Sequence, residues 1–174
     1  MVGLIGYAVR CAPILVVFVL SACTATVGVV APRPTISLAP STQRVALALS
    51  PQVLDAFDRP FANATMRFTG FRTSVGNGFA ASVGRYYAPA GGGDADLVLR
   101  FETITVELVP EGSGNLVLRY AARLDDRAGR TLGRSFGTLG ARRTYNFEVA
   151  LEETLGRMFE QVAADCFVPL SLMR

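Results

Sequence analysis

The chain has no histidine, no lysine and no tryptophan, and only three cysteines among its 174 residues. Each absence removes chemistry. Without imidazole, no unperturbed side chain changes charge near neutral pH, and without lysine no amine stands in as a base for a nucleophile. Zinc needs Cys and His ligands in groups, which Cys11, Cys23 and Cys166 do not form. Two short acidic pairs, Asp94 with Asp96 and Asp125 with Asp126, lack the ligand spacing of a calcium loop. The run Gly91-Gly92-Gly93 lacks the Lys and Ser/Thr of a phosphate loop. No metal and no cofactor is expected.

What is present begins with an apolar run. Arg10 is the first charge, and Cys11 to Leu20 follow without another. Ser21, Ala22 and Cys23 close the stretch. A charged start, a short apolar segment and small residues at its end describe a secretory signal. The uninterrupted run is well short of the roughly 20 residues that span a bilayer. The stretch Leu20-Ser21-Ala22-Cys23 resembles the lipobox of bacterial lipoproteins, in which the thiol is acylated and the peptide is cut before it. That resemblance implies a cleaved signal over 1–22 and lipidation of Cys23. Thr24, rather than Asp, follows the cysteine, which in that family implies placement in the outer membrane, facing the periplasm. Two or three acyl chains anchor stably where one does not. The apolar lead Val2 to Tyr7 before the charge is unusual and leaves the start codon open.

Residues 23–174 carry 16 arginines and 14 carboxylates, a net of +2. The arginines are spread along the chain, so there is no nucleic-acid footprint. About 130 residues suffice for a core without a metal or disulfide. Cys166 is the one thiol left after processing. It reads as a small buried residue near a helix end, with an intermolecular disulfide as the sharper alternative.

Pro32, Pro34 and Pro40 mark residues 23–42 as the lipidated cysteine and a flexible tether, with a reach of about 60 Å when stretched. A single domain over 43–174 follows. Arg44 to Ser50 reads as a strand, Pro51 to Asp58 as a short helix ended by Pro60, and Thr65 to Thr69 as a short strand. Phe71, Val75, Phe79, Val83 and Tyr86 form the stripe of a helix over 71–87, weakened by Gly76, Gly78 and Gly84.

Asp96 to Val109 is a strand with a fault. Leu97, Leu99 and Phe101 share one parity; Ile104, Val106 and Leu108 take the other, and one face cannot bury both sets. Either a bulge near Glu102-Thr103 resets the phase, the preferred reading, or the outer half is an interaction edge. Leu116 to Leu124 alternates cleanly. Asp125 to Gly129 turns a hairpin with Gly129 at a positive-φ site, and Thr131 to Leu139 returns. Asn146 caps a helix to about Asp165, with Phe147, Leu151, Leu155, Met158, Phe159, Val162 and Cys166 on one stripe.

The predicted fold class is α+β: a largely antiparallel sheet of four or five strands with two amphipathic helices on one face. That order behind a lipobox resembles the lipopolysaccharide-assembly and YajG-like lipoproteins over roughly 43–165. The resemblance implies a non-enzymatic envelope role and transfers no binding residue. Gly133-Arg134-Ser135-Phe136-Gly137 does match the nucleophile-elbow pattern. It lies within an antiparallel meander and lacks an imidazole, so no enzyme is expected. The pairs Glu102/Glu107 and Glu148/Glu152 fall on strand and helix surfaces, where carboxylates are ordinarily solvated.

Two binding modes follow. One is a protein-interaction module using a sheet edge or the Ile104, Val106 and Leu108 face to hold an envelope protein. The other is a phospholipid or lipopolysaccharide binder using Arg100, Arg119 and Arg123, which share the parity opposite the apolar residues and offer forked donors to phosphate.

Overall fold

The computed structural model describes residues 24–91, 93–109, 115–141 and 146–172. Among the described residues, eight strands form two sheets. β1 (Thr24–Gly28), β3 (Phe57–Phe61) and β4 (Ala64–Thr69) make a small sheet in the order β1-β4-β3. β2 (Arg44–Leu49), β5 (Ala88–Pro89), β6 (Leu97–Val109), β7 (Asn115–Asp126) and β8 (Thr131–Ala141) make the main one, in the order β5-β2-β6-β7-β8. The helices α1 (Phe71–Ala81) and α2 (Phe147–Val162) cover one face of the main sheet. A five-residue π-helical turn, 163–167, and a short α3 (Val168–Leu172) extend α2.

The fold class is the expected α+β, but the sheets are mixed. β2 pairs in parallel with both β5 and β6, and β1 in parallel with β4. The pairs β3–β4, β6–β7 and β7–β8 are antiparallel.

The parity fault in β6 is a bulge. Phe101 pairs with Ala122 and Thr103 with Ala121, so Glu102 is the extra residue. One inserted residue returns the next apolar set to the same face. Ile104 and Val106 are therefore 5% and 1% exposed, and Leu108 is half-buried against the same core. The expected interaction face of Ile104, Val106 and Leu108 does not exist as a surface; these residues are core.

Residues 51–58 are not a helix. The chain from the end of β2 is tied to α1 instead: the Arg72 guanidinium donates to the Leu49, Ser50 and Val53 carbonyls at 3.0–3.2 Å, and the Phe71 amide donates to the Asp55 carbonyl. Asp55 Oδ1 accepts from the Arg72 and Thr73 amides, capping α1 where its own N-cap, Gly70 at φ 73°, has no side chain to do so. The chain then enters β3, where Phe57 stacks on Phe68 and meets Phe71 edge-on. Pro60 is tolerated because β3 is an edge strand of its sheet. α1 is also shorter than its stripe implied: it ends at Ala81, and the Ser82 hydroxyl donates to the Gly78 carbonyl, before a 3₁₀ turn at 83–85.

The expected tether is a bound strap. After β1, the Val29 amide donates to the Thr69 carbonyl, and the Ser74 hydroxyl donates to the Val29 carbonyl. Residues 30–38 then run along α2, with Arg33 near Glu152 and the Thr35 amide donating to Glu160 Oε1. Pro32, Pro34 and Leu38 are buried while Arg33, Thr35 and Ser37 are exposed. This is extended chain with one side buried, a conformation that suits proline because no ladder donor is demanded of it. At the other end of the strap, the Tyr86 hydroxyl donates to the Ile36 carbonyl.

α2 begins as expected. Asn146 Oδ1 accepts from the Glu148 and Val149 amides at 3.1 and 3.2 Å, a cap worth about 1 kcal/mol. The stripe from Phe147 to Cys166 is buried, with Leu151, Leu155, Met158, Phe159 and Val162 all at 0% exposure.

Candidate functional site: the uncovered face of the main sheet

Both α1 and α2 lie on the face that holds Leu99, Leu118 and Leu124, so among the described residues no helix covers the other face of β6, β7 and β8. Strand alternation sends Arg100, Arg119 and Arg123 to that open face, as their parity implied. Register then adds a residue that parity within one strand does not reveal. Arg100 pairs with Arg123, and Arg123 with Arg134 on β8. Three guanidiniums thus stand in one row across the sheet.

Like charges directly opposite are unfavourable, so the row requires counter-charge. Asp125 supplies it from a buried position, 3.0 Å from Arg100 Nε and 3.2 Å from Arg123 Nε. Its other oxygen accepts from the Thr131 hydroxyl. Glu102, pushed outward by the bulge, reaches Arg123 at 3.4 Å. Arg119 pairs with Glu107 at 2.9 Å. The three arginines singled out from sequence therefore share a face, and each is matched to a carboxylate.

The next row holds Thr103, Ala121 and Phe136. Phe136 stands over the small Ala121 and is 78% exposed, although it is a large aromatic residue in the middle of a strand. Phe136, Arg134, Arg123, Ala121 and Glu102 line a hollow of about 250 Å³. A second hollow of about 450 Å³ adjoins it where β2 ends, sharing Glu102 and bounded by Pro51, Gln52 and Arg100. The bulge residue thus sits between both.

Ser135, the centre of the elbow-like pattern, points the other way. It is 1% exposed, lies mid-strand in an antiparallel ladder, and donates to Asp165 Oδ2 at 2.7 Å. Gln161 donates to the other oxygen of Asp165. The pattern joins β8 to the π-helical turn and provides no exposed hydroxyl.

Cys166 is 1% exposed and unpaired, which removes the intermolecular disulfide as a reading of the folded chain. Burial, aided by the charge of Asp165, pushes its thiol up to about 12. Burial likewise raises the Tyr120 phenol. In the folded chain the thiol keeps its proton well above its ordinary value of 9.0. Below pH 9 its contribution to stability is complete, and from pH 9 to about 12 the unfolded chain loses a proton that the folded chain keeps, so stability falls. Thermal melts of the native chain and Cys166→Ala over this range should show a shallower alkaline fall in the variant. Alkylation at pH 8 should label Cys166 only after denaturation.

Cys23, the expected lipidation residue, lies outside the described residues. No helix among the described residues is long and apolar enough to cross a membrane. Among them, no cluster of three His, Cys, Asp or Glu side chains is placed to hold a metal.

No family model matches the chain, and no curated protein matches it. Its fold is similar to that of a solved Xanthomonas campestris protein of the family designated DUF330. The likeness has a TM-score of 0.58 over 87% of this chain and 97% of that one, at 11% identity. A minor lipoprotein from Acinetobacter baumannii superposes more loosely, at a TM-score of 0.46 with 14% identity, over 72% of this chain and 93% of that one. An uncharacterized protein matches at 0.45 with 11% identity, over 82% and 95%. The Xanthomonas likeness shows a common mixed α+β fold, and identity this low carries over no side chain of the open face.

Proposed function

We propose that the chain is a lipid-anchored, periplasm-facing lipoprotein of the outer membrane, a non-catalytic module that binds an envelope protein on the open face of β6, β7 and β8. The observation that carries the binding half is Phe136. An aromatic ring 78% exposed midway along the edge strand β8, on the open side of the sheet, is the sort of anchor that interfaces bury. Around it Arg100, Arg119 and Arg123 are held in place by carboxylates, a polar frame in which these three charges are already paired. The anchoring half rests on Leu20-Ser21-Ala22-Cys23.

A phosphate-bearing lipid, phospholipid or lipopolysaccharide, is the second reading of the same face, favoured by the row Arg100, Arg123 and Arg134. It ranks lower because a phosphate there competes with Asp125 and Glu102, which already engage Arg100 and Arg123.

Two experiments test the halves separately. Processing should be blocked by globomycin, and Cys23→Ala should leave the protein unacylated and released from membranes. A photo-crosslinking residue in place of Phe136 should capture a discrete protein in cells, while one in place of Arg127, on the far hairpin, should not. Adducts to lipid alone from the first probe would shift the reading to the arginine row.

A further inference from the structure

The bound strap leaves no slack between an acylated Cys23 and the folded domain. Thr24 directly follows Cys23 and is already paired with Thr65 in the small sheet. Adjacent Cα atoms are about 3.8 Å apart, so the anchor point lies at the sheet itself rather than tens of ångströms from it.

The direction of the chain says which end of the domain this is. β1 runs from Thr24 to Gly28, whose amide donates to Glu148 in the first turn of α2. The strap continues along α2 toward Glu160. Four strand steps of about 3.3 Å place Thr24 about 13 Å back from Gly28, at the end of the small sheet where Phe61 packs edge-on against Phe147, the first residue of α2. Beside Thr24 lie the start of β4 and the end of β3, joined by the Ala62-Asn63 turn, with Ala62 at φ 52°.

The chemistry of that end fits a lipid surface. Residues 24–28 and 60–66 contain no charged side chain. Thr24, Ala25, Ala62 and Asn63 are exposed, and Phe61 and Met66 are half-buried. The nearest charges along these strands are set back and engaged: Arg67 pairs with Asp58, and Arg59 donates to the Val106 carbonyl. Strand ends that bring no charge of their own, among the described residues, can approach headgroups without the desolvation cost that a carboxylate or guanidinium would carry.

We propose that the outer end of the β1-β4-β3 sheet is a membrane-contact surface, with the Ala62-Asn63 turn seated among the headgroups of the leaflet that holds the acyl chains of Cys23. This rests on the lipoprotein reading above. The domain rides flush on the bilayer in one orientation, and the Phe136 face is held at a fixed height above it.

The test uses full-length, acylated protein in vesicles of phosphatidylethanolamine and phosphatidylglycerol, part of them carrying a headgroup-attached quencher. Asn63→Cys and Ala128→Cys each carry one fluorophore; buried Cys166 and acylated Cys23 do not compete for the label. Ala128 lies in the β7–β8 hairpin, which adjoins the C-terminal end of α2. Quenching several-fold stronger at 63 than at 128 is expected, and equal quenching overturns the proposal. A Gly/Ser insertion of 15 residues between Cys23 and Thr24 should lower the quenching at 63 while flotation with vesicles persists; unchanged quenching overturns the role of the short link. Mass spectrometry of the N-terminal peptide separates the two readings. An unacylated chain overturns the anchor and this surface together, while an acylated, floating chain with equal quenching overturns only the surface.

Discussion

Phe159→Ala should lower the unfolding free energy by about 3–5 kcal/mol, a large part of the 5–15 kcal/mol typical of a domain this size. Phe159 is fully buried on α2 and meets Phe101 of β6 edge-on, with ring centroids 5.8 Å apart. It also lies against α1, at Gly78. One ring therefore joins the sheet to both helices, and truncation leaves a cavity bordered by rigid elements that cannot collapse into it. Phe136→Ala makes the informative contrast. Its ring is already in solvent, so its removal should change stability by no more than about 0.5 kcal/mol, while abolishing capture by a photo-crosslinking residue placed at exposed Thr138 on the same face of β8. Denaturant titrations check both, through a shifted midpoint at constant slope for Phe159→Ala. A loss under about 2 kcal/mol for Phe159→Ala would contradict the packing described.

Those two phenylalanines also show where a sequence is legible. Phe159 belongs to a stripe with helical period, so its burial was readable from spacing alone. The bulge at Glu102 was readable too, because an inserted residue leaves a phase change in a period of two. The same phase change misled about Ile104, Val106 and Leu108: an apolar set on the apparent wrong face is on the correct face once the bulge is counted. The strap was misread for a different reason. Its prolines do signal extended chain, but its burial depends on contacts with Glu148 and Glu160, more than a hundred residues away, and local composition contains no trace of a partner that distant. The arginine face was half legible. Parity placed Arg100, Arg119 and Arg123 together, whereas Arg134 joins their row only through the β7–β8 register. Phe136 lies inside the elbow-like pattern, next to its serine. An aromatic residue at an outward position of a strand was the available signal.

Gly78→Ala and Gly76→Ala should change stability in opposite directions, although both replace a glycine in α1 with the best helix former. Helix propensity alone favours each by up to about 1 kcal/mol. At Gly76 a Cβ would meet nothing within 4 Å, so that gain should appear in full. At Gly78 the Cβ would lie 2.5 Å from Phe159 Cε2 and 2.5 Å from Pro32 Cγ. Neither neighbour gives way cheaply. The Phe159 ring is held by Phe101, and Pro32 is fixed in a strap tied at Val29 and Thr35. Overpacking of this kind costs about 1–3 kcal/mol, enough to outweigh the propensity gain. The least costly relaxation is for the strap to lift, since Pro32 packs there through a side chain and the ring does so from the core. Limited proteolysis should therefore cut Gly78→Ala between residues 30 and 40 faster than the native chain, with Gly76→Ala no faster. Equal cutting in all three would mean the strap does not rest on α1. β1 stays paired with β4 when residues 30–40 lift, so in a lipidated chain Gly78→Ala should leave the quenching of a label at position 63 unchanged.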